Sequence, residues 1–167
     1  MDPNHIFLFE PNRTLLDYLN LNLKAHKKRI TIHNAAVLDY NGETSLYFES
    51  HRSAAGSILE VQYAPDTLRA KQRTMSRVKL ISIADVVKGL NQLDLVVKCD
   101  AEGAEYRIIQ EFIRKFRGKQ KVVLYIEYHR GKQNLIEILE NAGFATKVQE
   151  KDEFMGLITS IRIDRTA

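Results

Sequence analysis

The spacing of apolar residues in the first part of the chain predicts a β-α-β unit. The apolar run Ile6 to Phe9 ends at Glu10-Pro11 and predicts a buried strand, because it is short and is stopped by proline. Thr14 to His26 places leucines at helical spacings and predicts a helix with one apolar face. Ile30 to Leu38 predicts the next strand.

The segment that follows predicts a hairpin and then a long loop. The turn sequence Asp39-Tyr40-Asn41-Gly42 predicts a hairpin in which Glu43 to Glu49 pairs with the strand before it. Ser50 to Arg77 has no regular pattern and predicts a loop that would select the substrate. Val78 to Ile81 predicts a strand, and Ser82 is a candidate N-cap for a helix that ends near Lys88.

The second half of the chain alternates strands and helices of the lengths found in parallel sheets. Leu93 to Asp100 is apolar along both faces, as expected of a strand covered by helices on both sides. The remaining predicted elements are a helix, a strand, a helix and a terminal antiparallel hairpin, over Ala104 to Phe116, Lys121 to Tyr128, Lys132 to Ala142, and Phe144 to Gln149 with Gly156 to Ile163. The pattern predicts one α/β domain with a mostly parallel sheet over residues 1–167.

Composition excludes several classes of protein. The 167 residues are 44% apolar and 28% charged, close to ordinary globular values. The sequence has neither an apolar run of membrane-spanning length nor a leader before the first predicted strand, and Cys99 is the single cysteine, which excludes a disulfide framework. These features predict a cytoplasmic protein without a membrane partner.

The net charge of +4 comes from 25 basic and 21 acidic residues. The basic residues are concentrated at Lys24 to Arg29, Arg69 to Lys79 and Arg114 to Lys121. Such clusters can attract an anion or RNA, but they also occur at solvated helix ends. No aromatic residues are interleaved with them, so a nucleic-acid partner is disfavoured.

The sequence Asp100-Ala101-Glu102-Gly103-Ala104-Glu105 is the most specific candidate for chemistry. Its acids directly follow a predicted buried strand, and ligands of open α/β sheets bind outside the carboxyl ends of strands. We therefore interpret Asp100 as functional. Glu102 and Glu105 are explained equally well by favourable placement in the first turn of a helix. Gly103 would permit the tight turn between strand and helix.

Other strand ends supply three more candidates. Glu127 and His129 lie two residues apart at the end of a predicted strand, and either can act as a base, although a histidine there is often only structural. Glu10 lies where dinucleotide-binding folds place an acid that accepts hydrogen bonds from a ribose, although an exposed acid at a strand end needs no such role. No Cys/His pair has the spacing of metal ligands, so the sequence predicts no metal site.

Taken together, these motifs resemble the FkbM family of S-adenosylmethionine-dependent methyltransferases. The resemblance extends from Ile6 to about Ile163 and is most specific in Asp100 to Glu105. Weaker matches are Phe9-Glu10-Pro11-Asn12, Leu19 to Asn22, Asn34-Ala35-Ala36-Val37 with Asp39 and Gly42-Glu43, Ala55-Gly56-Ser57, and Tyr125-Ile126-Glu127.

The resemblance implies O-methyl transfer from S-adenosylmethionine to a hydroxyl of a sugar, glycan or other natural product. It implies that Glu10, Ala35, Ala36, Asp100 and Glu102 contact the cofactor, and that Asp100, Glu127 or His129 is the catalytic base. It also implies a Rossmann-like fold with a seven-stranded sheet in the order 3-2-1-4-5-7-6, in which Ile6 to Glu10 is strand two.

The sequence departs from the family pattern before Ile6. Strand one and its glycine-rich loop are expected there, and only five residues precede Ile6. We therefore expect weak or no binding of S-adenosylmethionine by this chain. Unpaired sheet edges would also favour a homo-oligomer. The alternatives are a non-catalytic scaffold with a degenerate methyltransferase fold, and an anion- or RNA-binding domain.

Overall fold

The computed structural model describes residues 4–49, 52–57, 73–129, 131–152 and 154–163. Contacts divide the chain into two compact units, one ending at Ile81 and the other beginning at Ser82. No helix among these described residues is both long enough and apolar enough to cross a membrane.

The first unit begins with the predicted β-α-β arrangement. Strands β1 (Ile6–Phe9) and β2 (Ile30–His33) pair in parallel, with helix α1 (Arg13–Asn22) and a 3-10 helix (Lys24–Arg29) between them. The α-helix predicted over Thr14 to His26 is therefore shorter than expected. It ends at Asn22, and His26 lies in the 3-10 helix. Asn12 caps α1 by accepting a hydrogen bond from the backbone N–H of Thr14 at 3.0 Å.

A four-stranded sheet completes the first unit. Its strands are β3 (Ala36–Leu38), β4 (Gly42–Glu49), β5 (Arg52–Ser57) and β6 (Arg73–Ser82), in the order β3-β6-β4-β5. The predicted hairpin between Ile30–Leu38 and Glu43–Glu49 is wrong, because β6 lies between β3 and β4. The ten-residue β6 forms a much longer ladder with β4 than the three-residue β3 can form, and it buries Val78 with Leu46.

The predicted loop from Ser50 to Arg77 is also wrong in part. Strand β5 and the first residues of β6 lie within that range, and residues 58–72 lie outside the described residues. The basic and small residues in this range show no strand-like alternation. The pairing of these strands is set by contacts distant in sequence rather than by local alternation. The strand predicted at Val78 to Ile81 is present but begins at Arg73.

The second unit begins with helix α2 (Ile83–Val87), and Ser82 is its N-cap as predicted. The unit continues through β7 (Leu95–Asp100), α3 (Glu105–Lys115), β8 (Val122–Tyr128), α4 (Lys132–Asn141), β9 (Ala145–Glu150) and β10 (Gly156–Arg162). Strand β7 is parallel to β8, and β10 is antiparallel to both β8 and β9. The predicted terminal hairpin is thus confirmed.

The strand orders agree with parts of the order implied by the family resemblance. The second unit has the order β7-β8-β10-β9, which corresponds to 4-5-7-6, and the β1-β2 pair corresponds to 2-3. β7 is an edge strand of its sheet in this arrangement. Its predicted burial on both faces is wrong, because Val96 is 53% exposed and Lys98 is exposed, while Cys99 is buried.

The core of the second unit combines one face of its sheet with α3 and α4. Its members are nearly inaccessible apolar residues, among them Ile108, Ile109, Phe112, Leu124, Ile126, Leu135, Leu139 and Ile158. Near the amino-terminal end of β8, the guanidinium of Arg162 lies 5.7 Å from the ring centre of Phe116 and 5.1 Å from that of Phe144. The same group donates a hydrogen bond to the carbonyl of Gly118 at 3.0 Å.

Candidate active site

The carboxyl ends of β7 and β8 form one rim of the second unit's sheet. Because the two strands are parallel and in register, their last pairs place Asp100 directly beside Glu127. His129 follows one residue after β8 ends. Three of the residues predicted from sequence therefore lie at one edge of one sheet, where open α/β folds bind ligands.

The chain turns sharply between β7 and α3. Glu102 has a φ of +47° and Gly103 a φ of +101°, so two successive residues adopt left-handed conformations. Glycine takes this conformation without a side-chain penalty, which confirms the role predicted for Gly103. Glu102 pays a cost of about 1–3 kcal/mol for the same geometry, and that cost must be offset by its surroundings.

Glu105 holds this turn from inside the protein. Its carboxylate accepts hydrogen bonds from the backbone N–H groups of Ala101 at 2.9 Å and Gly103 at 3.0 Å, and only 1% of the residue is exposed. A buried carboxylate is tolerated only when its oxygens are hydrogen-bonded, as they are here. Glu105 is therefore an internal brace for the turn as well as a favourable charge at the start of α3.

The same carboxylate orients His129. The Nδ1 atom of His129 lies 3.0 Å from Oε1 of Glu105, and its Nε2 lies 3.4 Å from Oε2 of Glu102. Because an ionised carboxylate can only accept, Nδ1 carries the hydrogen and Nε2 is directed toward Glu102. The hydrogen bond to Glu105 raises the pKa of His129 above its ordinary value, against the opposing effect of burial.

Asp100, Glu102 and His129, together called the rim cluster, bring three potential ligand atoms within 4.8 Å of one another. Asp100 is exposed and pairs with the ammonium of Lys98 at 3.0 Å. Burial raises the pKa of Glu102, while the neighbouring His129 opposes that rise. The cluster can accept a proton, hold a cation or bind a polar hydroxyl.

The first unit holds the acid predicted to contact a ribose. Glu10 follows β1, and its Oε1 accepts a hydrogen bond from the backbone N–H of Asn12 at 2.7 Å. Burial raises the pKa of Glu10, and the Asn12 hydrogen bond partly offsets that rise. Among the hydrogen bonds of the described residues, this arrangement leaves Oε2 of Glu10 for a hydroxyl ligand.

Asn34 fixes the same edge of the β1-β2 sheet. Its side-chain amide donates to the carbonyl of Glu10 at 2.9 Å and to that of Pro11 at 3.1 Å, so it ties the end of β2 to the end of β1. Ala35 and Ala36 come next in the chain and are buried, with 1% and 7% of their surface exposed. These alanines contribute small buried side chains beside the Glu10 edge.

Three contributions were not predicted from the sequence. The bracing by Glu105, the pairing of Lys98 with Asp100, and the bridge made by Asn34 each depend on contacts that form only on folding. The alternating positions of Lys98 and Asp100 on one strand are the one local signal, since residues two apart in a strand share a face.

Comparison with known proteins gives a consistent family and fold. Residues 3–146 match the model of the methyltransferase FkbM domain. The fold resembles the crystal structure of methyltransferase FkbM from Methylobacillus flagellatus KT, with a TM-score of 0.55 and 14% identity over 94% of this chain and 36% of that one. This chain therefore spans about a third of the length of that structure.

A second similar structure is precorrin-6y C5,15-methyltransferase from Geobacter metallireducens GS-15. Its TM-score is 0.43 at 16% identity, over 95% of this chain and 68% of that one. No curated protein matches the sequence.

Proposed function

Because the chain belongs to the FkbM methyltransferase family, we propose that it contributes to transfer of a methyl group from S-adenosylmethionine to a hydroxyl of a sugar or other natural product. The observation that carries this proposal is the family match over residues 3–146, together with the rim cluster at the carboxyl ends of parallel strands. When bound, S-adenosylmethionine supplies a methyl group that is already electrophilic, so the protein has to provide positioning and proton removal.

Glu10 is the proposed ribose-binding residue. Its carboxylate lies at the carboxyl end of β1, and one oxygen is held in place by Asn12. The donor set fits a nucleoside, since a second carboxylate oxygen can accept from a hydroxyl. In this proposal Ala35 and Ala36 line the cofactor site beside Glu10.

The same proposal assigns proton removal to Asp100, Glu127 or His129. His129 is held by Glu105 through Nδ1, which leaves Nε2 as its acceptor atom. Glu127 lies beside Asp100 in the strand register and is half-buried. Each residue is a chemically competent base, and the position of the acceptor hydroxyl would select among them.

Titration calorimetry with S-adenosylmethionine, extended to millimolar concentrations, tests the cofactor site. We expect a small heat of binding for the wild type and no detectable heat of binding for Glu10→Gln. Asp17→Asn, which removes an exposed acid from α1, is the matched control and should bind like the wild type. Equal binding by wild type and Glu10→Gln would overturn the assignment of Glu10.

Transfer of a radiolabelled methyl group under single-turnover conditions tests the reaction. We expect the substitution that removes the true base, among Asp100→Asn, Glu127→Gln and His129→Gln, to lower the rate roughly 10²- to 10⁴-fold. No transfer to any hydroxyl acceptor by a cofactor-loaded protein would reject the proposed activity.

A further inference from the structure

We propose that the rim cluster of Asp100, Glu102 and His129 binds a divalent metal ion. Two carboxylates and one imidazole converge there from two different segments of the second unit. The sequence predicted no metal site, because these ligands have no conventional spacing and meet only when β7 and β8 pair. The proposal deepens the proposed function, but binding of the ion does not depend on the cofactor.

The orientation of His129 supports a ligand role. Histidines that ligate metals usually donate their other ring N–H to a carboxylate or carbonyl, which fixes the ring and makes the ligating nitrogen more basic. Glu105 provides this interaction at 3.0 Å from Nδ1, and it is not one of the three ligands. The side chain of His129 is only 10% exposed, so its ring is held rather than free to rotate.

The dimensions of the rim cluster are close to those of a coordination sphere. With metal–ligand bonds of about 2.1 Å, adjacent ligand atoms lie about 3 Å apart and opposite ones about 4.2 Å apart. In the cluster, Nε2 of His129 is 3.4 Å from Oε2 of Glu102, and all three ligand atoms fall within 4.8 Å. A small rotation of the exposed Asp100 side chain would complete the set.

The ligand chemistry favours an ion that accepts both oxygen and nitrogen. Carboxylates suit Mg²⁺ and Mn²⁺, and imidazole suits the transition metals, so Mn²⁺ satisfies both kinds of ligand. The ammonium of Lys98 lies 3.0 Å from the Asp100 carboxylate and would compete with the ion for that carboxylate. That pair is exposed and therefore weak, so a divalent ion can displace it.

Such an ion would refine the roles at the rim. Three protein ligands leave positions of an octahedral ion open, and oxygen atoms of the acceptor could fill them. This role for the ion rests on the proposed function. Asp100 and His129 would then be ligands, which leaves Glu127 as the proton acceptor.

Binding of Mn²⁺ to the full chain, without cofactor or acceptor, is measured by the loss of the free-ion electron paramagnetic resonance signal. We expect one site in the wild type, and at least a tenfold weaker affinity in Asp100→Asn, Glu102→Gln and His129→Gln. Electron spin echo modulation from ¹⁴N should be present in the wild type and absent in His129→Gln. Lys98→Met should bind more tightly.

Glu127→Gln is the matched control, because it removes the same charge from the same rim without removing a proposed ligand. We expect its Mn²⁺ affinity to fall less than threefold. Circular dichroism verifies that each variant is folded, and Glu102→Gln, on a partly exposed side chain, keeps the test decisive if His129→Gln unfolds.

Absence of a Mn²⁺ site in the wild type, equal affinity in the ligand variants, or a bound ion without ¹⁴N modulation would each overturn the proposal. In those cases Glu102, His129 and Glu105 form only a hydrogen-bonded support for the turn. Failure of methyl transfer with Mn²⁺ binding intact would reject the proposed function alone.

Discussion

His129 and Glu105 are joined by a hydrogen bond of 3.0 Å between Nδ1 and a carboxylate oxygen that the protein almost completely encloses. The two residues lie on different elements, one after β8 and the other at the start of α3. The same carboxylate also accepts hydrogen bonds from two backbone N–H groups in the turn between β7 and α3. One buried side chain thus sets both the shape of the turn and the orientation of the imidazole.

Removal of this carboxylate should destabilise the protein strongly. Glu105→Ala leaves the N–H groups of Ala101 and Gly103 without their acceptor and leaves His129 without its partner. We expect a loss of about 3 kcal/mol in the free energy of unfolding, measured by urea denaturation. Glu137→Ala, on the exposed face of α4, should change it by less than about 0.5 kcal/mol. Similar values for the two variants would contradict the bracing role of Glu105.

The raised pKa of His129 makes the stability of the protein depend on pH. Because the folded-state pKa lies above the ordinary value of 6.5, protonated His129 favours the folded state. This stabilisation is complete below 6.5 and is lost as the pH rises through the raised value. In the presence of a chelator, His129→Gln should therefore cost more free energy of unfolding at about pH 5.5 than at about pH 9.

Nuclear magnetic resonance provides a direct check of the same point. The imidazole of His129 should titrate above 6.5 in the wild type, and closer to its ordinary value in Glu105→Gln, where the charge of the partner is removed. The control for the free energy of unfolding measured at the two pH values is His26→Gln, which alters an exposed residue of the 3-10 helix. A His129 pKa at or below 6.5 in the wild type would contradict the prediction.

The buried hydroxyl of Tyr128 is a polar group whose removal should not destabilise the protein, in contrast to the carboxylate of Glu105. Tyr128 is 0% exposed, and its hydroxyl has no hydrogen-bond partner in the described part of the chain. Tyr128→Phe removes a buried polar atom without breaking a hydrogen bond, so we expect the free energy of unfolding to stay the same or rise by about 1 kcal/mol. A loss above about 1 kcal/mol in thermal or urea denaturation would indicate a partner for the hydroxyl.

Gly156 should tolerate no side chain. A Cβ atom placed there would lie 2.5 Å from the Tyr128 hydroxyl and 2.6 Å from the carbonyl oxygen of Gln149. Gly156→Ala should therefore destabilise the protein by about 2 kcal/mol or more, since backbone must move to relieve the clash. Thr159→Ala, at a partly exposed position of the same strand, serves as the control in urea denaturation. Equal stability of the two variants would contradict the close packing of β8, β9 and β10.

The second unit was predicted from sequence more completely than the first. Its strands are apolar runs separated by amphipathic helices, so local periodicity was enough to identify Val122–Tyr128 and Lys132–Asn141. In the first unit, β6 pairs with β4 across a gap of more than twenty residues, and β5 lies in a stretch of small and polar residues. Local patterns cannot specify such pairings.

The candidate site shows the same division. Asp100, Glu127 and His129 could be placed together because parallel strands end at a common edge. The brace made by Glu105 could not, since an acid in the first turn of a helix is equally well explained by the helix dipole. Its distinguishing property is burial, which depends on how α3 packs.

Arg162 stabilises the second unit at a margin of its sheet away from the candidate site. Its guanidinium contacts Phe116, Phe144 and the Gly118 carbonyl at the sheet margin opposite to Asp100 and Glu127. Arg162 therefore stabilises the sheet at the end of β8 that lies away from the candidate site residues Asp100 and Glu127. Substitutions at the margin that holds Asp100 and Glu127 can therefore leave the contacts of Arg162, and with them the packing at the other end of the strands, unchanged.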